Sequence, residues 1–372
     1  WPVIFGFCPG GGGPGVTELL SKAAAKYGYI VAGSNDSKNG PTAKNQDAYN
    51  AMWKDVNKRF SIDQKAVYAM GFSGGARMSV DMALAYPDNF VGVILAGAIL
   101  TAGDKLPEKG SKLVVYVLTG DKDFNLGEIN KGQATLQERE IVHWVEEGEG
   151  KHRWPEARET MEAIEFMQFQ AMKKGTIKED KALIAGLVKA KMSLAKSLET
   201  DKRLLPALRL YRQILAYFPD TAAAKATVDK LCKDPLVEKA TTEEEAFCDL
   251  LKQSKDLENM EVLAAAVQKL IEISDGTSPN AKRAKETLQI SYMAPAVRGA
   301  DAAKAGKTKE AAILLEGGLV ADDDWNAGFQ SAQLYAKAED KESVCRVLNR
   351  LARSGFNDAD RIKKDDAFKA MA

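Results

Sequence analysis

The chain has 372 residues, 45% hydrophobic and 28% charged. This balance excludes wholesale disorder and predicts two or three domains. Its 52 basic residues equal its 52 acidic ones, so the footprint of a dedicated nucleic-acid binder is missing. The longest apolar run, at 91–100, is about half of what a membrane-spanning helix needs.

The first part of the chain alternates strand-like and helix-like segments. An apolar run at 2–7 ends in a glycine cluster, and 15–27 has helical spacing. A second strand at 29–32 leads through a turn-rich stretch to a helix at 45–60. A strand at 66–70 precedes a helix at 75–86, which Pro87 stops. Strands follow at 90–96 and 112–118, then a helix at 127–137, a strand at 141–145 and a helix at 156–173. Strands alternating with helices predict an α/β fold with a mostly parallel sheet, and nearly all-apolar strands suit a sheet covered on both faces. Beyond residue 175 almost everything is helical. Residues 311–315 and 344–348 occupy similar places in two helices, 33 residues apart, with Gly306 and Asp340 at turn positions before them. A period near 34 with two helices per unit resembles tetratricopeptide arrays. The expected domains are therefore 1–175 and 176–372, the second an all-α helical-repeat domain suited to a protein or peptide partner.

Gly71-Phe72-Ser73-Gly74-Gly75 fits G-x-S-x-G between a strand and a helix. A sharp strand-to-helix turn there lifts a serine hydroxyl above the sheet edge, where it can act as a nucleophile. The alternative is a glycine-rich helix start with a capping serine. A nucleophilic serine needs a base, and the chain has only His143 and His152. His152 follows the last strand and is favoured; His143 lies inside that strand. The turn after the fifth strand offers Asp121 and Asp123, of which Asp123 is favoured to orient the imidazole. Ser73, Asp123 and His152 then follow the nucleophile–acid–base order of an α/β-hydrolase. Gly74 supplies one oxyanion-hole N–H at a helix start. The loop Cys8-Pro9-Gly10-Gly11 supplies the other. Pro9 has no N–H, so Gly10 is preferred and Gly11 comes next. The same loop has a rival reading as a dinucleotide site through Gly10, Gly12, Gly15 and Asp36, but that reading leaves Ser73, Asp123 and His152 unexplained.

Phe7-Cys8-Pro9-Gly10-Gly11, Gly71-Phe72-Ser73-Gly74-Gly75, Gly120-x-x-Asp123 and His152-Arg153-Trp154-Pro155 resemble the polyhydroxybutyrate-depolymerase and feruloyl-esterase branch of the α/β-hydrolase superfamily. The resemblance covers about residues 1–170. It implies a Ser-Asp-His triad of Ser73, Asp123 and His152, oxyanion donors at Gly74 and Gly10, no cofactor, carboxylic-ester substrates, and a secreted or periplasmic location. Three departures stand out. Cys8-Pro9 replaces the family's His-Gly, Lys151 stands before the base where the family has glycine, and the first strands of the fold are missing. A catalytically inactive scaffold carrying the helical repeats is the alternative these departures motivate. The chain opens at Trp1 with no signal-peptide pattern, so any targeting signal would lie upstream.

About fifteen residues separate Ala96 from Lys112, and 28 lie between Asp123 and His152. Neither gap has room for a helical lid, which suits bulky or polymer-linked esters. The cysteines Cys8, Cys232, Cys248 and Cys345 form no C-x-x-C pair, so a zinc ribbon has no support. A Cys232–Cys248 disulfide is weighed below idle thiols. Asp322, Asp323 and Asp324 lack a calcium-loop pattern and are expected to be solvated or at a helix start. No metal is expected.

Overall fold

A computed structural model describes every residue except 41, 100–106, 255–257, 277–278, 292 and 370–372. The chain divides into two compact units, Trp1–Thr242 and Glu243–Ala372. The division falls at 242/243 rather than at the expected 175/176.

In the first unit β1 (Val3–Phe7), α1 (Gly13–Tyr27), β2 (Ile30–Gly33), α2 (Thr42–Arg59), β3 (Val67–Phe72), α3 (Gly74–Ala85) and β4 (Gly92–Ala96) alternate as expected. They are followed by β5 (Val114–Gly120), α4 (Leu126–Glu138), β6 (His143–Gly148) and α5 (Ala157–Lys173). The six strands form one wholly parallel sheet in the order β2-β1-β3-β4-β5-β6. This is the parallel α/β sheet that the alternating strands and helices predict.

Side-chain alternation explains the layering. Ile4, Tyr68, Met70, Ile94, Tyr116 and Trp144 point to one face and pack with α1 and α5. Val3, Phe5, Val67, Ala69, Val93 and Val115 point to the other and pack with α2, α3 and α4. With both faces covered, β4 and β5 are buried along their whole length. The connection from β1 runs outward to β2, whereas that from β3 runs the other way to β4. Neighbouring strands whose connections diverge leave a crevice at their carboxyl ends, and that crevice opens between β1 and β3.

Three further helices complete the first unit: α6 (Lys181–Thr200), α7 (Leu204–Tyr217) and α8 (Ala222–Leu231). Leu187, Ala195, Leu198, Leu208, Tyr211 and Ile214 share a core with Ile94, Tyr116 and Trp144 of the sheet. The contact also has a polar part. Lys191 on α6 is 2% exposed and bonds Glu146 of β6, Glu162 of α5 (2.6 Å) and the Tyr116 hydroxyl (3.0 Å). On α7, Gln213 accepts from the Val145 N–H (2.8 Å) and donates to the Val145 carbonyl (2.9 Å). The Tyr217 hydroxyl does the same for His143, at 2.9 and 2.6 Å. Two side chains one helical turn apart thus take the place of a seventh strand along β6 and satisfy an otherwise open edge. The next helix, α9 (Pro235–Gln253), runs across the division.

The second unit is helical throughout its described residues: α10 (Met260–Ser274), α11 (Pro279–Ser291), α12 (Met293–Lys304), α13 (Thr308–Asp322), α14 (Trp325–Lys337), α15 (Lys341–Arg353), and the short α16 (Ala359–Lys364) and α17 (Asp366–Lys369). Consecutive helices from α10 to α15 pack on one another. The acidic run at 322–324 has a local role. Asp323 ends α13 in a left-handed conformation, and the Asp324 carboxylate caps α14 by accepting from the N–H groups of Asn326 and Ala327. Cys232 in the first unit carries a free, exposed thiol. The side chain of Cys248, its weighed partner, lies outside the described residues. Among the described residues no helix is long and apolar enough to cross a membrane.

Candidate active site

The chain enters the crevice through a strained turn. Ser73 sits between β3 and α3 with φ 53° and ψ −118°. A positive φ at a non-glycine residue costs on the order of 1–3 kcal/mol and persists only where the surroundings hold it. They do so here with backbone bonds. The Ser73 N–H donates to the Ala96 carbonyl of β4 (2.7 Å), and the Ser73 carbonyl accepts from Ala76 (3.1 Å) and Arg77 (3.2 Å). The turn is too tight for side chains on either side. A Cβ on Gly71 would collide with the backbone of Gly75, and one on Gly75 with the Phe7 carbonyl of β1. These glycines let β3, α3 and β1 converge beneath Ser73.

Gly74 is the first residue of α3, so its N–H has no intrahelical partner. In the loop after β1, Gly11 donates its N–H to the Cys8 carbonyl (3.2 Å). That bond engages the second-choice donor. Gly10 is exposed, and among the described residues its N–H makes no hydrogen bond within the chain. The Asn39 N–H ties the next loop to this one through the Pro9 carbonyl (2.8 Å). The Asn39 carboxamide lies over the Gly74 α-carbon, where a Cβ would strike it. Sequence reasoning missed Asn39, because nothing in a turn-rich loop marks the one residue that reaches the crevice.

His152 follows β6. Its Nδ1 lies 3.0 Å from both carboxylate oxygens of Asp123. Asp123 is 1% exposed and the imidazole side chain 16%. The ring is packed on three sides: Phe124 at 4.2 Å and Phe72 at 4.6 Å between ring centroids, and Gly97, where any Cβ would meet the imidazole. Phe72 is the residue before Ser73, so this packing sets the imidazole beside the strained turn. Among the described residues no hydrogen bond joins the Ser73 hydroxyl to His152.

Asn125 was also missed. It is buried, its N–H donates to Asp123 Oδ1 (2.8 Å), and its side chain donates to the Gly97 carbonyl (2.8 Å). One residue thus braces both the carboxylate and the strand end under the imidazole. An asparagine two positions after an acid in a turn is the signal that could have found it.

The weighed alternatives sit elsewhere. His143 begins β6 at the opposite end of the sheet from Ser73, and its Nδ1 bonds the Ile141 carbonyl (2.7 Å). Burial lowers its pKa below the usual histidine value. Asp121 does not touch the imidazole; its Oδ1 accepts the Gly150 N–H (2.8 Å). The loop expected to be too short for a lid includes 100–106, which lie outside the described residues. Among the described residues no three metal-ligating side chains converge.

Seventy chains of solved structures match this one. A carboxylesterase from Bacillus cereus is 16% identical, with a TM-score of 0.38 over 45% of this chain and 88% of its own. The S-formylglutathione hydrolase FrmB from Staphylococcus aureus is 14% identical, with a TM-score of 0.36 over 45% of this chain and 80% of its own. A ferulic acid esterase is 12% identical, with a TM-score of 0.35 over 46% and 86%. No family model matches the chain, and no curated relative does either.

Proposed function

We propose that the first unit is a serine hydrolase that cleaves carboxylic esters. Ser73 attacks the ester carbonyl while His152 takes its proton, and Asp123 holds the imidazole in the tautomer with Nδ1 protonated. The tetrahedral oxyanion is received by the N–H groups of Gly74 and Gly10. Return of the proton to the alcohol oxygen expels the alcohol and leaves an acyl-serine. Water activated by His152 then releases the acid. The observation that carries this reading is the buried Asp123 carboxylate, 3.0 Å from His152 Nδ1, beside a serine held at φ 53°. The second donor is the weaker part, since Gly10 is exposed. Bulky or polymer-linked esters follow from the short loops in the sequence, and an extracytoplasmic location from the resemblance.

The second unit is proposed as a tetratricopeptide-like array serving a protein or peptide partner. The matching segments lie on α13 and α15, with α14 between them, the spacing that supports this reading.

Labelling with a fluorophosphonate probe, followed by peptide mass spectrometry, tests the enzyme reading. Modification at Ser73 that disappears in Ser73→Ala and falls sharply in His152→Ala is expected. A folded sample that takes no label would end this reading.

A further inference from the structure

We infer that Asp121 and Arg203 are positioning residues that hold the His152 loop in register with Asp123; this rests on the serine-hydrolase reading above. The chain leaves β6 through Gly150, whose φ of 121° is open only to glycine. The turn at the end of β5 grips this bend at three points. The Asp121 N–H donates to the Gly148 carbonyl (2.9 Å), and the Lys122 N–H to the Gly150 carbonyl (2.9 Å). Asp121 Oδ1 accepts the Gly150 N–H (2.8 Å). Two residues further along each turn stand Asp123 and His152. A slip between the turns is therefore passed straight to the contact between carboxylate and imidazole.

Asp121 is itself held from outside the α/β part of the fold. Its Oδ2 lies 3.7 Å from Nη2 of Arg203, the residue that opens α7. The same nitrogen donates to Glu147 of β6 at 2.8 Å. The Asp121 and Glu147 side chains are only 21% and 14% exposed. Arg203 thus lies within 4 Å of both carboxylates. Arg209 approaches Glu147 alone, at 3.9 Å. Replacing Arg203 with a neutral side chain removes the guanidinium that bridges two like charges at the turn that grips Gly150. The bonds of Gln213 and Tyr217 to β6 fix α7 and hence the place from which Arg203 reaches. A helix far downstream in sequence thereby acts on the geometry of the triad.

The test uses the full chain, with p-nitrophenyl acetate as the probe ester and proton NMR of the downfield Nδ1–H signal expected for an imidazole bonded to a carboxylate. Arg203→Met should lower kcat about 10- to 100-fold, with KM within about 2-fold of wild type. The downfield signal should shift or broaden, and Arg203→Lys should restore most of both. Asp121→Ala removes the Gly150 acceptor but keeps the Arg203–Glu147 pair, so it covers the case in which Arg203→Met does not fold. It should give the same pattern. A folded Asp121→Ala or Arg203→Met that keeps wild-type kcat and an unchanged downfield signal overturns the inference. So does a fall in kcat that only tracks thermal stability while the signal stays in place. A wild-type protein that is not labelled at Ser73 would instead bring down the hydrolase reading, and this inference with it.

Discussion

Helices α6–α8 and helices α10–α15 look alike in sequence, yet they solve different problems. The first set buries Leu187, Leu198, Leu208 and Ile214 against the strands and has no core apart from the sheet's. The second set builds cores of its own, with Leu263, Val267, Leu270 and Leu314 in one and Leu319, Phe329, Tyr335 and Val347 in another. Each set also buries a charge. Lys191 is held by two carboxylates from the α/β elements. Glu316 on α13 is fully buried and receives the Arg346 guanidinium (2.8 and 3.0 Å) and the Tyr335 hydroxyl (3.1 Å), all from neighbouring helices of the same unit. A change in composition along a chain thus marks a change in secondary structure. The ownership of the core marks the domain.

The sharpest way to break this comparison is to cut the chain. A protein ending at residue 175 keeps α1 and α5 but loses the part of that core supplied by α6–α8 and the cover of the β6 edge. It is expected to be insoluble or unfolded, whereas one ending at 242 should give a cooperative thermal transition by circular dichroism. A stable, cooperative 1–175 fragment would show that α6–α8 are dispensable. Lys191→Met probes the same contact at one point. It leaves Glu146 buried without its cation, while Glu162 keeps Arg158, and should cost about 3–5 kcal/mol of stability. Adding Glu146→Gln should recover much of that loss, because the uncompensated charge is then gone. A single variant as stable as wild type in denaturant titration would mean the cluster is not under the electrostatic load argued here.

The sheet and the pairing of Asp123 with His152 were legible in the sequence because they are written locally. Each strand is a short apolar run between turn residues, and Ser73, Asp123 and His152 each follow a strand end in hydrolase order. The domain boundary was not legible. Nothing in the spacing of Leu187, Lys191 and Gln213 says whether their partners are strands or other helices; that depends on contacts 45 to 75 residues away in the chain. Asn39 and Asn125 were missed as parts of the site for the same reason, and Asp121 was weighed only as the alternative acid. Their roles are hydrogen bonds within turns and loops, of which only that of Asn125, two positions after Asp123, leaves a pattern in the sequence. The strain at Ser73 can be turned into a measurement. Ser73→Gly should abolish turnover and yet raise stability by about 1–3 kcal/mol, since glycine adopts φ 53° without penalty. Ser73→Ala keeps the strain and should abolish turnover with little stability gain. Equal thermal midpoints for the two variants would argue that the turn is not strained.

The smallest expected effect concerns the second unit alone. Asp340 caps α15, its carboxylate accepting the Ser343 N–H at 3.0 Å. That backbone bond holds its pKa below the usual aspartate value. A carboxyl group whose folded pKa is depressed stabilises the fold above its unfolded pKa. The contribution is lost as pH falls through the folded value. Asp340→Ala should therefore cost about 1 kcal/mol at neutral pH, the usual worth of a helix cap. The difference from wild type should shrink on acidification below the ordinary aspartate range. Because Asp340 is on α15, the loss should show in hydrogen exchange of the α13–α15 amides and leave the amides of β3, β4 and β5 unchanged. Exchange that rises equally in the sheet would mean the two units unfold as one, and the distinction drawn between their cores would then have no thermodynamic counterpart.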